Sequence, residues 1–221
     1  MPARTGSRWP LLPLDRLGGM DATAWNQRYA DKELVWSATP NQFVAAELAD
    51  LAPGRALDLA AGEGRNALWL ASLGWDVTAV DFAQAGLDKG RAVESSLASD
   101  HRVTWVCADV LTWEPDGPYD LVVLAYLQLP ADERRTAVRR AVGALRRGGT
   151  FFLVAHDTSN LTEGTGGPQD ASVLMTAEDV LGDLADHDVE VVTAGRFGRA
   201  VAGAGETLTA WDAVVRAVRR G

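Results

Sequence analysis

A turn that contains two glycines, with a carboxylate on either side of it, carries the clearest chemical signal in the sequence. Gly62 and Gly64 precede a helical segment, so backbone N–H groups there can approach a ligand closely and present it to a helix N-terminus. Asp58 lies four residues before Gly62, and Asp81 follows Gly64 by 17 positions. A carboxylate at the end of the second predicted strand can accept hydrogen bonds from both hydroxyls of a ribose. The spacing therefore predicts a ligand that contains adenosine.

The turn by itself is compatible with more than one use. Gly62, Gly64 and Ala67 satisfy the relaxed G-x-G-x-x-G/A fingerprint of dinucleotide-binding enzymes, which favours an NAD(P)-dependent oxidoreductase. Against that, Asp58 interrupts a strand that such enzymes usually keep apolar. The structural alternative is that the glycines only permit tight packing of strand on helix, and that the carboxylates only organise nearby backbone N–H groups.

The elements that position these residues follow from an alternation of short apolar runs with helical patterns. This alternation is typical of βαβ units and predicts an α/β fold with a doubly wound, mostly parallel, seven-stranded sheet. The last two predicted strands have no helix between them, so we expect them to form an antiparallel C-terminal hairpin that closes the sheet. The predicted strands span residues 56–59, 76–80, 103–107, 119–124, 150–155, 189–196 and 208–219.

Length and composition limit what the chain can do. It has 221 residues, 47% of them hydrophobic, which suits one globular domain at 20–221 after a loose tail at 1–19. The formal net charge of −9 repels polyanions, so nucleic acid is not an expected partner. No apolar run approaches the ~18 residues of a membrane span, so we expect no membrane partner. The single cysteine, Cys107, excludes a multi-cysteine zinc site and fits a cytoplasmic protein with no metal.

The carboxyl ends of strands four and five belong to the ligand face of such a sheet, so residues there are expected to flank the reacting group. Ala125 and Tyr126 end strand four, and His156 and Asp157 end strand five. An imidazole titrates near neutrality, which makes His156 the candidate general base, with Asp157 as its partner. The alternative is a histidine that only hydrogen-bonds the following loop.

That following loop, residues 157–172, is rich in Gly, Thr and Asn and is long for a connection within a compact domain. Its glycines can act as hinges, which predicts either a flap that closes over a substrate or a floppy surface loop. Asn160 is its candidate substrate or lid residue.

The run D-x-A-x-G-x-G at 58–64 resembles the D/E-x-G-x-G-x-G loop of class I S-adenosylmethionine-dependent methyltransferases, with Ala60 in place of the usual first glycine. Three further motifs occur in that family's order: the run 107–110 after strand three, Asp120 at the head of the central strand, and the run 147–150 before strand five. The resemblance covers residues 55–219. Four motifs in order make chance a poor explanation.

The resemblance implies S-adenosylmethionine as the cofactor and S-adenosylhomocysteine as its product. It places Asp81 on the ribose hydroxyls and Asp109 on the adenine amino group, beside apolar residues that sandwich the ring. The residues implied to bind the cofactor are Asp58, Ala60, Gly62, Gly64, Arg65, Asp81, Phe82, Asp109, Val110 and Ala125.

A looser resemblance, carried by the runs 31–36, 40–41, 53–59 and 62–66, is to the small bacterial branch related to tellurite-resistance and thiopurine methyltransferases. It implies that residues 20–52 form an N-terminal helical lid ahead of a core at 53–221. Tyr29 and Trp36 are then candidates to touch the methionine end of the cofactor or the substrate. Tyr126 is a candidate to touch the substrate because it ends strand four on the ligand face of the sheet. For Tyr29 and Trp36 the alternative is that they anchor the segment to the core.

Together, the residues and the resemblance imply an enzyme that transfers a methyl group to a small-molecule oxygen, sulfur or other soft nucleophile by in-line displacement. Residues 124–127 read Leu-Ala-Tyr-Leu rather than Asn/Asp-Pro-Pro-aromatic, which argues against a nucleobase or amide nitrogen as the acceptor. The alternatives are an NAD(P)-dependent oxidoreductase and a non-catalytic S-adenosylmethionine-binding protein. The oligomeric state is not predicted.

Overall fold

The computed structural model describes residues 21–30, 39–97, 102–202 and 206–221, which form a sheet with helices on both faces. The strands are β1 (Arg55–Leu59), β2 (Asp76–Asp81), β3 (Val103–Cys107), β4 (Tyr119–Ala125), β5 (Leu145–His156), β6 (Val189–Ala202) and β7 (Thr207–Arg219). The helices are α1 (Ala22–Ala30), α2 (Gln42–Leu48), α3 (Arg65–Ser72), α4 (Gln84–Ser96), α5 (Ala131–Gly143), α6 (Asn160–Glu163) and α7 (Ala177–Leu184), and Ala171–Val173 form a 3-10 turn.

The seven strands form one sheet in the order β3-β2-β1-β4-β5-β7-β6. Strands β1 to β5 run parallel, whereas β7 pairs antiparallel with both β5 and β6. The predicted fold class, a doubly wound and mostly parallel sheet with an antiparallel C-terminal strand, is confirmed. Strand order reverses between β1 and β4, and open α/β sheets bind their ligands in the crevice outside the carboxyl ends at that point.

Two strands are longer than the sequence pattern predicts. β5 begins at Leu145, because Leu145 pairs with Tyr119 and the ladder resumes with Thr150 opposite Leu121 after a bulge. β6 continues to Ala202, because it pairs with β7 along nearly its whole length. The extension of β6 matters for the site, since it carries residues beyond 196 along the sheet.

The sheet is covered on both faces because its central strands are apolar on both sides. In β4, for example, the four consecutive residues 121–124 are all buried, which is typical of a central parallel strand. One face packs on α2 and α3 through Val44, Leu48, Ala67, Leu70 and Ala71, and the other on α5 and α7 through Val138, Ala141, Val142, Val180 and Leu184.

The described part of the segment predicted as a lid, residues 20–52, contains two helices that attach at different places. α1 lies against α4, where Asn26 Oδ1 accepts a hydrogen bond of 2.8 Å from the Ala85 amide. α2 lies against the sheet, with Val44 and Leu48 buried. The predicted tail at 1–19 lies outside the described residues, and the division into tail, lid and core stays a prediction.

The longest helices of the described ranges, α4 and α5, have 13 residues each. In the part of the chain that the structure describes, no helix combines the length and the apolar character needed to cross a membrane. Over the same ranges, His, Cys, Asp and Glu side chains do not gather in a group of three or more that could hold a metal ion.

Candidate active site

The turn after β1 uses backbone conformations that favour glycine. Gly62 and Gly64 have φ angles of 58° and 73°, and Ala60 adopts 60°. A left-handed conformation costs an alanine roughly 1–2 kcal/mol, so the turn keeps its shape at Ala60 at some expense of stability. A side chain at Gly64 would also collide with the Trp105 ring. The absence of a side chain at Gly64 therefore permits the turn to pack against Trp105.

Asp81, the last residue of β2, is buried and faces this turn. Its Oδ2 accepts a hydrogen bond from the Gly62 amide and its Oδ1 from the Ala83 amide, each at 2.8 Å. Burial raises the pKa of Asp81, although these amide bonds oppose the rise. The carboxylate thus fixes the turn and the start of α4. Each oxygen keeps a second lone pair, so the same carboxylate has capacity to accept from a ligand.

Asp58, the penultimate residue of β1, is 1% exposed and has no conventional hydrogen-bond partner for either carboxylate oxygen among the described residues. Burial raises the pKa of Asp58 to about 7, the Asp81 carboxylate adds to the rise, and the Ala67 amide and Arg65 charge offset only part of it. Asp58 therefore does not organise the glycine turn through backbone N–H groups. A buried polar group without a partner is unusual and calls for a ligand or a proton.

The residues predicted to hold an adenine ring come together at the carboxyl ends of β2 and β3. Phe82 is partly buried and Asp109 is exposed, with Asp109 Oδ1 accepting from the Leu111 amide at 2.8 Å. The two segments are joined by a 3.0 Å hydrogen bond from the Ala108 amide to the Asp81 carbonyl. Val110 is only 8% exposed and packs in the core, so it offers little surface to a ligand.

A cleft of about 280 Å³ opens beside these residues at the carboxyl ends of β4 and β5. Ala125, which ends β4, is partly buried and pairs with Val154. The cleft itself begins one residue later, at Tyr126. Its lining residues are Thr39, Pro40, Asn41, Gln42, Arg65, Tyr126, His156, Arg199 and Ala200.

Behind the cleft lies a carboxylate that the sequence analysis missed. Asp212, on β7, has no solvent exposure and accepts hydrogen bonds from the Tyr126 hydroxyl (2.9 Å) and from Arg199 Nε (2.8 Å), both at Oδ2. Its Oδ1 lies 3.3 Å from His156 Nδ1, and neither of these two atoms has another partner among the described residues. Burial would raise the pKa of Asp212, but the His156 and Arg199 contacts together lower it. We call Tyr126, His156, Arg199 and Asp212 the Asp212 cluster.

Tyr126 is held in an unusual conformation at the centre of the cluster. Its φ is 60°, a left-handed value that is rare for a bulky residue, and its amide donates to the Val154 carbonyl at 2.7 Å. Its hydroxyl also accepts from Asn41 Nδ2 at 3.1 Å, so the N-cap residue of α2 is tied to the cleft. Burial raises the pKa of Tyr126, and the Asp212 charge adds to the rise, so the hydroxyl stays protonated and donates to Asp212.

The expected pairing of His156 with Asp157 is wrong in this structure. The Asp157 carboxylate accepts from the amide and hydroxyl of Ser159, at 2.9 and 2.6 Å. Successive side chains of a strand point to opposite faces, so Asp157 turns away from the ring, whereas Asp212 is the direct cross-strand neighbour of His156.

Asn160 anchors the loop after β5 and does not line the cleft. Its side chain is buried, donates to the carbonyls of Thr165 and Gly166 and accepts from the Trp211 amide at 2.8 Å. The loop is thereby tied to β7, and a Cβ at Gly167 would come within 2.9 Å of the His156 ring. The loop therefore packs closely on the imidazole in this structure.

Of the two aromatic residues predicted in the lid, Tyr29 is described and Trp36 lies outside the described residues. Tyr29 is buried, stacks on Trp25 at 5.4 Å and lies against Gly86, close to the carbonyl of Gly62. It therefore anchors α1 beside the glycine turn. The cleft that the structure describes is lined by other residues.

Comparison with known proteins identifies the scaffold. Residues 56–149 match the model of a methyltransferase domain. Over this segment the chain is similar to class I S-adenosylmethionine-dependent methyltransferases. The resemblance stated from the motifs is thus confirmed, and the matched residues include the glycine turn, Asp58 and Asp81.

Two curated methyltransferases show how far the similarity in sequence extends. The ubiquinone biosynthesis O-methyltransferase of Xanthomonas campestris pv. campestris (strain B100) is 30% identical over 155 residues, which are 69% of this chain and 64% of that protein. Thiocyanate methyltransferase 1 of Brassica oleracea is 25% identical over 162 residues, which are 71% of this chain and 70% of that protein. The chain thus spans less than two thirds of the length of the first relative.

A solved structure supports the fold over a longer stretch. TehB from Haemophilus influenzae superposes with a TM-score of 0.69 at 17% identity, over 89% of this chain and 68% of that chain. At this level of identity the likeness concerns the fold. The methyltransferase fold therefore extends through β6 and β7, beyond the segment that the domain model matches.

Proposed function

We propose that this protein transfers the methyl group of S-adenosylmethionine to an oxygen, sulfur or other soft nucleophile of a small molecule. The proposal rests on the position of two groups of residues at one edge of the sheet. The glycine turn with Asp58 and Asp81 lies at the same sheet edge as a cleft lined by Tyr126 and His156. We call the glycine turn with Asp58 and Asp81 the cofactor half of the site, and the cleft lined by Tyr126 and His156 the acceptor half. The two halves would meet at the topological switch point of the sheet.

The residues of the cofactor half fit S-adenosylmethionine by their chemistry. The buried Asp58 carboxylate, which has no conventional hydrogen bond among the described residues, suits a cation, and the cofactor carries an ammonium group at its methionine end. Arg65, at the start of α3 and in the cleft lining, suits the carboxylate of the same end. Asp81 suits the ribose hydroxyls. Phe82 and Asp109 suit the face and the amino group of adenine.

When bound, S-adenosylmethionine supplies a methyl group that is already electrophilic. The contribution of the chain is therefore to orient a nucleophile and to exclude water. Tyr126 and His156 close one side of the cleft, with ring centroids 4.8 Å apart. Because His156 Nδ1 faces Asp212, its Nε2 is the nitrogen available to accept a proton from an acceptor.

The class of acceptor rests on the size of the cleft and on the relatives. About 280 Å³ suits a small molecule rather than a polymer. One relative is an O-methyltransferase and another is named for thiocyanate, which supports oxygen or sulfur as the nucleophile. A cytoplasmic location and the lack of a nucleic-acid partner stay predictions, as do the roles of the individual site residues.

Calorimetric titration of the purified full chain with S-adenosylmethionine, S-adenosylhomocysteine and NADH tests the proposal. We expect saturable binding of the first two alone. The same protein is then incubated with methyl-labelled S-adenosylmethionine and a panel of phenols, thiols and inorganic anions, and label transfer is measured. Binding of NADH alone would replace the proposal with an oxidoreductase. Tight cofactor binding without transfer to any acceptor would indicate a non-catalytic binding protein.

Replacement of His156 by Ala tests the proposed base. We expect turnover to fall most for acceptors that must lose a proton, because Nε2 no longer accepts it. Acceptors that are already anionic should be less affected. Turnover that is unaltered across pH for both kinds of acceptor would contradict the role.

A further inference from the structure

The lining of the cleft has the opposite electrostatic character from the rest of the molecule. The chain carries a formal net charge of −9, yet the cleft lining contains Arg65 and Arg199 and no Asp or Glu among the described residues. Asp212, which pairs with Arg199 behind the lining, has no exposure in this structure. A concentration of positive groups in an acidic protein favours an anionic ligand at that place.

We propose that the Asp212 cluster binds the methyl acceptor as an anion, with Arg199 as the counter-charge and Asp212 as the residue that positions Arg199 and His156. This inference rests on the proposed function and names the acceptor class for the same site. The class comprises molecules that present an ionised hydroxyl, thiol or similar acidic group to the cleft.

The position of Arg199 is fixed through one edge of its guanidinium. Nε donates to Asp212 Oδ2 at 2.8 Å, and the side chain remains 24% exposed where it lines the cleft. Its carbon Cζ lies over the Tyr126 ring, 5.8 Å from the centroid, so the aromatic face contributes to holding the guanidinium. A guanidinium has five N–H donors, and the bond through Nε leaves others for an anion in the cleft.

Asp212 places His156 for the same task. Its Oδ1 lies 3.3 Å from Nδ1, which favours the tautomer with the proton on Nδ1 and an unprotonated Nε2. An acceptor that arrives with its proton gives that proton to Nε2, while the electron pair of the broken bond stays on the oxygen or sulfur. The resulting imidazolium is stabilised by the Asp212 carboxylate, and the new anion is stabilised by Arg199.

Among the described residues, the titratable groups that line the cleft with His156 or contact its ring come from four elements. Asp212 comes from β7, Arg199 from β6, Tyr126 from the end of β4 and Arg65 from α3. Tyr126 remains protonated, as described above, so it contributes a donor and no charge. The anion-binding character therefore depends on Arg199 and on the carboxylate that holds it.

The test uses 4-nitrophenol, whose ionisation is visible in its absorbance, added to the full chain saturated with S-adenosylhomocysteine. We expect the bound probe to ionise at lower pH than the free probe, with its pKa lowered by about one, a tenfold preference for the anion. Arg199→Gln and Asp212→Asn should abolish this preference, and Arg199→Lys should retain part of it. Arg220→Gln removes an exposed arginine that pairs with Glu190, away from the cleft, and should leave the preference unchanged.

Several outcomes would overturn the proposal. A probe that is not bound, or that binds with an unchanged or raised pKa, excludes an anionic acceptor site. Loss of S-adenosylhomocysteine binding in Arg199→Gln would assign Arg199 to the cofactor instead. If Asp212→Asn does not fold, Arg199→Gln and Tyr126→Phe decide, since Tyr126→Phe keeps Arg199 in place and should keep the preference. If the unaltered chain does not bind S-adenosylhomocysteine, the proposed function itself is contradicted. This binding is measured before 4-nitrophenol is added, so the two failures can be distinguished.

Discussion

The sheet has an amino edge, where the parallel strands begin, and a carboxyl edge, where they end. These two edges differ in how completely their polar groups are hydrogen-bonded. At the amino edge, Asp120 accepts from the Arg55 amide at 2.7 Å and pairs with Arg146 through its other oxygen. Arg219 donates there to the carbonyls of Val142, Gly143 and Leu145. At the carboxyl edge, Asp58 has no conventional hydrogen-bond partner among the described residues, and His156 and Asp212 share one long contact.

The larger of two cavities lies at the amino edge, where the polar groups are more completely hydrogen-bonded. A cavity of about 580 Å³ is lined by Glu114, Arg140 and Arg219 among others, compared with about 280 Å³ for the cleft at the carboxyl edge. Arg140 Nε lacks a partner there, but the same guanidinium donates to the Trp113 carbonyl and to Glu114. Among the described residues, buried carboxylate oxygens without a hydrogen-bond partner occur at Asp58 and Asp212, so they mark the candidate site better than volume does.

The largest expected effect concerns Asp58. Its pKa is about 7 in the folded protein against a usual 3.8, so folding stability falls as pH rises through that interval. Above the interval the penalty is roughly 4 kcal/mol. Asp58→Asn should therefore unfold at higher denaturant concentration than the parent at pH 8, with little difference at pH 4, and should bind S-adenosylhomocysteine at least about tenfold more weakly.

Asp50→Asn, at an exposed position, is the matched control for the removal of one negative charge. Asp50→Asn should change neither the denaturant concentration of unfolding nor the affinity for S-adenosylhomocysteine. If Asp58→Asn is less stable than the parent at pH 8, the carboxylate has a partner in the folded state and the contrast between the two edges is weaker than described.

The same carboxylate predicts how affinity depends on pH. A cationic ligand group stabilises the ionised form of Asp58, so the affinity for S-adenosylhomocysteine should increase as pH rises through about 7. Calorimetry between pH 6 and pH 8 measures this. In Asp58→Asn that increase should disappear; an equal increase in the variant would assign the dependence to another group.

Asp81→Ala and Asp76→Ala compare the two ends of one strand. Asp81 ends β2 at the site, whereas Asp76 begins it with a side chain that is 75% exposed. We expect Asp81→Ala to weaken S-adenosylhomocysteine binding by at least ~1 kcal/mol, because charge-assisted hydrogen bonds to the ribose and to Gly62 are lost. Asp76→Ala should bind as the parent does. Unchanged affinity in a well-folded Asp81→Ala would remove Asp81 from the site.

Asp120→Ala probes the amino edge by itself. The Arg55 amide and Arg146 lose their acceptor, which should lower the free energy of unfolding by about 1 kcal/mol. Affinity for S-adenosylhomocysteine should not change, because the residue lies at the opposite end of the strands. A parallel loss of affinity would show that the two edges are coupled.

The smallest effect is expected at Ala60. Ala60→Gly relieves the left-handed strain but adds freedom to the unfolded chain, so the two contributions nearly cancel and stability should change by less than about 1 kcal/mol. Ala60→Val, which is β-branched at the same φ, should lower stability clearly more. Equal thermal unfolding of both variants would contradict the strain at this position.

The sequence predicted the scaffold well because the scaffold depends on local patterns. The alternation of apolar runs and helical patterns gave the order of the elements, and the turn at 58–64 gave the cofactor half. The acceptor half depends on pairing between distant segments. Arg199 was missed because β6 was predicted to end at 196, and nothing local indicates that β7 would pair with it so far.

The contact of His156 with Asp212 could not be predicted from the sequence for the same reason. Asp157 is its neighbour in sequence, but strand geometry separates the two side chains and brings Asp212 opposite instead. A signal for Asp212 was present, since it interrupts the apolar run 210–215 as Asp58 interrupts β1. Only the register between β5 and β7 turns that signal into a contact with the histidine.

The pairing of β6 with β7 places two residues of the proposed acceptor half on a single hairpin. β6 pairs only with β7 among the described strands, so Arg199 and Asp212 reach the cleft together as one hairpin. Grafting that hairpin from a relative would exchange these two residues in a single step and leave the glycine turn, Asp58 and Asp81 untouched. With the roles proposed for Arg199 and Asp212, one contiguous stretch of about thirty codons would determine acceptor preference separately from the residues proposed to bind the cofactor.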